Sequence, residues 1–287
     1  MRHLFLWAFS VLSFMVNAAN EPGKIDDSEK ETTYVYIDSY TQLDSVFKSY
    51  ALSIDKVRGY QETLPIFVHN IQPSIKDVNG QTKVDNFIMM ILSSTLEVNN
   101  DILSERRQLN QLLLSGKTEQ SKDIQALLKK YRAKNIEELK VKLLPLPPSL
   151  VIAQAIVESG WGTSRFAIEG NALFGKHTKK GSPNSMPAAA ANIALQAYES
   201  IYAAVSDYEL NINTHPAYKK LRDTRIQANN NNIPVDGIDL VNALKHYSET
   251  GDRYIQTITK VISIYHLNEF DHCKLKNTSE VIVKINK

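Results

Sequence analysis

The sequence predicts a mainly α fold with a small β lobe, and three features of it carry that prediction. Apolar residues recur at helical spacing on both sides of a proline-rich break, "LPLPP" at Leu144–Pro148. Helical signals stop after Phe174, where "GKHTKKGSPNSMPAAAAN" holds two glycines and two prolines. Ile193, Leu195 and Ala197 then alternate with Ala194, Gln196 and Tyr198, the period of a strand. The 287 residues are 43% hydrophobic, enough for one large domain or two smaller ones. A net charge of +2 without blocks of like charge gives no field that would select nucleic acid.

Arg2 and His3 precede "LFLWAFSVLSFMV" and then the small residues "NAAN". A basic start, a short apolar run and a small-residue site read as a secretory signal over residues 1–19, too short to span a bilayer comfortably. The competing reading is an anchor left in place. A secreted or periplasmic protein without a stable membrane span after cleavage is therefore expected. Residues 20–32 are polar and read as a disordered spacer.

Residues 33–144 read as a helical extension. Thr33–Ile37 could form a short strand, and helices are expected over 42–50, 83–114 and 123–131. In the longest of these, Phe87, Ile91, Leu96, Ile102 and Leu109 share roughly one side. Another helix starts at Asn135, which with Glu138 forms a capping-box pattern. No chemistry is legible in this region. The break at 144–148 places a boundary, with residues 145–270 as the second domain and 271–287 as a tail whose "SEVIVKI" is expected to form a strand.

Within the second domain, Ser200 caps a helix bearing Ile201, Ala204, Val205 and Tyr208 on one side. "NTHPAY" breaks it, and an asparagine-rich loop surrounds Asn229–Asn232. Helices near 238–245 and over 253–266 follow, the latter capped by Asp252.

The segment "AQAIVESGWGTSRFA" concentrates the functional signal. From Leu150 to Val157 every residue but Gln154 is apolar, which marks a buried helix. Gln154 stands four residues before Glu158, so both project from one side, and that side must open onto polar space. Glu158 occupies the last turn, at the negative end of the helix dipole and among apolar neighbours, and both effects raise its pKa. A carboxyl kept protonated near neutrality suits a general acid for a glycosidic oxygen. Gly160 can take the left-handed turn, and Trp161 offers a flat apolar face for a sugar ring. The bland alternative is a solvated carboxylate at a surface helix end.

The stretch "LPPSLVIAQAIVESGWGTSRFAIEGNALFG" resembles the signature of the bacterial cell-wall glucosaminidases, the glycoside hydrolase family of the flagellar muralytic domain. The likeness continues through "NTHPAYKKLR" and "HYSETGDRYIQTI" and is strongest toward the Bax-like periplasmic branch. It implies a lysozyme-like helical core acting on the β-1,4 bond after N-acetylglucosamine in peptidoglycan, with Glu158 as the acid. By the same resemblance Tyr247 fills the place of the family's essential tyrosine. Trp161, Asn171, Phe174, Tyr218, Gln154 and Ser248 are the expected substrate-binding residues. Tyr218 could equally pack. Many members carry a second acid on the β lobe, yet no Asp or Glu lies between Asn171 and Tyr198. Glu199 is the remaining candidate. Without a second carboxylate, either the substrate's acetamido group attacks its own anomeric carbon, or a lytic transglycosylase ejects an anhydro product. A non-catalytic wall-binding protein is the third possibility.

The histidines lack His-x-x-x-His spacing and Cys273 is the sole cysteine, which argues against a metal site and a disulfide framework. No cofactor is expected, and the partner is a glycan strand met by a monomer. Lys176, Lys179 and Lys180 form a small basic patch on the lobe, read as solvated.

Overall fold

The computed structural model describes residues 31–188, 193–245, 247 and 251–286. The proposed signal, residues 1–19, lies outside them. Among the described residues, strand β1 (Thr32–Ile37) comes first, then helices α1 (Leu43–Ser49) and α2 (Ile54–Tyr60). Strands β2 (Glu62–Thr63) and β3 (Ile66–Val68) lead to the long helix α3 (Gly80–Leu114), followed by α4 (Lys122–Lys130) and α5 (Ile136–Lys142). Beyond the prolines come α6 (Pro148–Ser159) and α7 (Arg165–Gly170). The lobe strands are β4 (His177–Thr178), β5 (Ser185–Pro187) and β6 (Ala194–Gln196). Helices α8 (Ile201–Thr214), α9 (Lys219–Asn230), α10 (Gly237–Leu240) and α11 (Asp252–Ile264) complete the helical part, and β7 (Lys274–Leu275) and β8 (Glu280–Ile285) close the chain. The mainly α expectation with small sheets holds.

Two helices organise the interior. Residues 87–92 of α3, "FIMMIL", are buried all round, so this part of the helix is enclosed rather than amphipathic. It packs on α6 and α8. Helix α6 begins with Pro148 in its first turn, where a missing N–H costs nothing, and is buried through Ile156. One hydrophobic cluster runs from Ile37 through α3, α6, α8 and α11 to Ile285, on both sides of the proline break. A smaller one joins Leu109, Ile124, Leu127, Leu128, Tyr131, Leu139 and Leu143.

The tail strand β8 lies between β1 and β3, parallel to both, with Thr32 opposite Glu280 and Ile66 opposite Val281. Residues 32–37 and 280–285, far apart in sequence, thus meet in one sheet. The lobe is antiparallel in the order β4-β6-β5, and its central strand falls inside the expected run 193–198.

Several local expectations need correction. Asp252 does not cap α11: Gly251 precedes the helix at φ 49°, and the Asp252 carboxylate pairs with Lys245 at 3.0 Å. Asn135 does cap α5, accepting from the Glu138 N–H at 2.8 Å, but the reciprocal bond goes to the Lys134 N–H, and Glu138 also pairs with Lys142. The expected helix over 238–245 is a short α10 that tightens into a 3₁₀ turn at Val241–Leu244. The asparagine-rich stretch is partly helical, because α9 runs through Asn230. Among the described residues no helix is long and apolar enough to cross a membrane.

Candidate active site

Helix α6 delivers Gln154 and Glu158 to one side, as their spacing requires. Gln154 is fully buried and Glu158 half-buried. The helix ends abruptly because Gly160 takes the left-handed conformation at φ 58°. Ser159 pins that turn: its hydroxyl donates to the Ala155 carbonyl at 2.6 Å and accepts from the Gly162 N–H at 2.8 Å. Gly162 is required at its place, since a Cβ there would lie 2.8 Å from Ile75 Cδ1 and its φ is +73°.

The buried amide finds two hydroxyls. Tyr208 of α8 donates to Gln154 Oε1, and Gln154 Nε2 donates to the Tyr254 hydroxyl of α11 at 2.9 Å. Tyr254 in turn hydrogen-bonds the Glu158 carboxyl. Burial raises the Glu158 pKa from its ordinary value, and the Tyr254 bond opposes that shift by stabilising the anion. Gly175 also lies against the carboxyl, where an added Cβ would stand 3.5 Å from Oε2.

An aromatic wall surrounds this group. Tyr247 stacks on Tyr254 with centroids 5.4 Å apart and an interplanar angle of 17°. Its hydroxyl donates to the Phe174 carbonyl at 2.9 Å. Phe174 stacks on Tyr208 at 4.1 Å, and Tyr218 lies 6.2 Å from Tyr247. Burial first, and then neighbouring negative charge including that of Glu158, pushes the hydroxyls of Tyr208, Tyr218, Tyr247 and Tyr254 upward, so all four remain neutral donors at working pH.

The structure therefore brings Glu158, Gln154, Phe174, Tyr218 and Tyr247 together. Trp161 follows the Gly160 turn at φ 60°, half-buried, with its ring edge-on to Phe87 at 5.6 Å and to Tyr265 at 4.9 Å. Asn171 turns inward: its Oδ1 accepts from the Ile71 N–H at 3.0 Å and its Nδ2 donates to the Tyr198 carbonyl at 3.1 Å. Glu199 is exposed and acts on His69, whereas burial and the Tyr254 bond account for the shift at Glu158. Ser248 lies outside the described residues. Lys176 of the lobe is paired with Asp207 of α8 at 2.6 Å, while Lys179 and Lys180 are exposed.

Two side chains of the site, Tyr254 and the hydroxyl end of Tyr208, are not legible from apolar periodicity. The signal available was the buried amide of Gln154, which demands partners. Cavities of about 570 and 280 Å³ lie elsewhere, one beside Leu144–Pro148 and Asp271, the other over β3 and Tyr202, and neither is lined by Glu158. Among the described residues no group of His, Cys, Asp and Glu could hold a metal ion.

Residues 134–267 match the glucosaminidase family model, described as mannosyl-glycoprotein endo-beta-N-acetylglucosaminidase. Protein bax of Escherichia coli (strain K12) is 37% identical over 109 residues, which cover 38% of this chain and 39% of that protein's length. The catalytic domain of the autolysin Auto from Listeria monocytogenes aligns over 68% of this chain and 90% of its own at 18% identity and a TM-score of 0.39. A C-terminally truncated glycoside hydrolase domain of FlgJ from Salmonella typhimurium aligns over 42% and 84% at 20% identity and a TM-score of 0.31. Likenesses that distant carry no weight for fold or activity.

Proposed function

We propose that this chain, whose residues 134–267 carry a glucosaminidase-family domain, is an exported endo-β-N-acetylglucosaminidase that cleaves peptidoglycan glycan strands after N-acetylglucosamine. One observation carries the reading: a half-buried carboxyl, Glu158, whose pKa is raised by burial and which one neutral hydroxyl holds in place. The family description supports an endo-acting N-acetylglucosaminidase. The choice of peptidoglycan and of export rests on the resemblance to the cell-wall branch and on the signal-like start of the sequence.

In this mechanism Glu158 gives its proton to the leaving oxygen as the bond from C1 breaks. The carbonyl oxygen of the sugar's own acetamido group attacks C1 and forms a cyclic oxazolinium. Water then adds at C1, Glu158 takes back a proton, and the ring reopens to the acetamide. One water is consumed for each bond cleaved. The absence of Asp and Glu between Asn171 and Tyr198 favours this route over one that needs a second carboxylate. Tyr247, whose hydroxyl donates to the Phe174 carbonyl, is assigned to assist at the anomeric centre by the resemblance, as Trp161 and Tyr218 are to hold the sugar.

The test is digestion of purified peptidoglycan with product ends read by mass spectrometry. Reducing N-acetylglucosamine ends support the reading, anhydro-muramyl ends replace it with a transglycosylase, and no turnover leaves a wall-binding protein. Glu158→Gln should lower turnover by ~10²–10⁴-fold with an unchanged melting temperature. A fully active variant removes Glu158 from the mechanism.

A further inference from the structure

Resting on that reading of Glu158, we infer that Tyr254 is the positioning residue of the acid, held in a one-way hydrogen-bond chain that starts at Tyr208 and passes through Gln154. The direction follows from donor and acceptor inventory. A tyrosine hydroxyl has one hydrogen, and an amide has an acceptor end and a donor end. Tyr208 spends its hydrogen on Gln154 Oε1. That fixes the amide so that Nε2 points to Tyr254 and donates to its oxygen at 2.9 Å. The hydrogen of Tyr254 is then free for Glu158, which it hydrogen-bonds.

Two consequences follow for the acid. One carboxyl oxygen is committed as an acceptor, so the proton to be transferred sits on the other. Gly175 lies against the carboxyl, where an added Cβ would stand 3.5 Å from Oε2. The bond from Tyr254 also favours the carboxylate and so moderates the upward push of burial, which keeps the group able to give a proton and to take one back.

The chain is rigid at each link. Gln154 and Tyr208 are buried in the core, and Tyr254 is clamped between Gln154 and the stacked ring of Tyr247. None of the tyrosines ionises in the working range, because burial raises every one of them. Tyr247 has a different duty: its hydrogen goes to the Phe174 carbonyl.

The experiment is the pH profile of kcat/KM on peptidoglycan strands for wild type, Tyr254→Phe, Tyr208→Phe and the double variant, each with its melting temperature. Tyr254→Phe should move the alkaline limb to higher pH and lower kcat ~10-fold or more, with KM little changed. Tyr208→Phe frees the Gln154 amide to turn over and to accept from Tyr254, which then deserts Glu158. It should move the same limb in the same direction, although it does not hydrogen-bond the acid. In the Tyr254→Phe background it should add nothing. A limb unmoved in both single variants overturns the inference, as do effects that add in full. Should Tyr254→Phe fail to fold, the limb of Tyr208→Phe decides alone. Failure of the underlying reading is distinct: wild type would then be inactive, or Glu158→Gln as active as wild type.

Discussion

Replacing Gly162 by alanine should unfold the protein on the order of 10 °C earlier, although the residue takes no part in proton transfer. Two costs combine. The backbone at Gly162 has φ +73°, where an L side chain is strained by ~1–2 kcal/mol. The new Cβ would stand 2.8 Å from Ile75 Cδ1, 3.1 Å from Phe87 Cε2 and 3.2 Å from Ile71 Cδ1. These three side chains are 0 to 1% exposed, so they have no solvent to retreat into, and overpacking of this kind costs ~1–3 kcal/mol. Together the penalty is ~2–5 kcal/mol, and each kcal/mol lowers the midpoint of a chain this long by ~2–4 °C. Gly160→Ala is the control. Its φ is +58°, but only Thr163 Oγ1 lies nearby at 3.5 Å, so it should cost the strain alone. Thermal melts by circular dichroism compare the two. A Gly162→Ala midpoint within a degree or two of wild type, or equal losses at both positions, would refute the packing account of this turn.

Asp271 supplies a pH test of stability. Its carboxylate accepts from the Ser149 N–H and hydroxyl, each at 2.7 Å, and from the Gly237 N–H at 2.9 Å, but burial outweighs these bonds and pushes its pKa from 3.8 to about 6. A raised folded pKa contributes stability below the unfolded value and loses it as pH rises through about 6, a swing of up to ~3 kcal/mol. Asp271→Asn should therefore narrow the difference in unfolding free energy between acid and neutral pH, measured by urea titration; an unchanged difference would count against the assignment. Asn171→Ala should cost ~2–4 kcal/mol, because it leaves the Ile71 N–H and the Tyr198 carbonyl without their partner, while KM for glycan strands changes less than ~2-fold. A large KM change with little loss of stability would place Asn171 in the cleft instead.

Helices whose inner face is apolar were legible: α3, α4, α6, α8 and α11 fall close to their expected spans. Helix α9 was not, and the reason is physical. Its sequence "KKLRDTRIQANN" turns Arg222 and Arg225 inward with Leu221, where Arg222 donates to the Ile212 and His215 carbonyls and Arg225 to those of Leu144 and Pro145. A buried face built of guanidinium groups has no hydrophobic period to read. Helix α7 is six residues long, too short for a pattern. The β1-β8-β3 sheet pairs residue 32 with residue 280 in parallel register, and nothing in either strand names its partner. The tail looked separate for that reason alone.

At the site, spacing placed Gln154 and Glu158 on one side, but the polar space expected there is, at Gln154, a pair of tyrosine hydroxyls in the core. Which hydroxyls was hidden, because tyrosines on apolar helix faces read as core. The motif residues divide once their bonds are known. Ser159 and Gly162 hold the turn after the acid, Asn171 ties the end of α7 to Ile71 and Tyr198, and Trp161 packs its edges on Phe87 and Tyr265. Each would be demanded by the fold even if Glu158 did nothing. A motif match reports that a residue type is needed at a place and is silent on whether chemistry or packing needs it. Direction of hydrogen bonding separates the two: a side chain with both polar ends turned into the core has none left for a substrate, and Glu158 is the member of this motif whose carboxyl is half open with one neutral donor behind it.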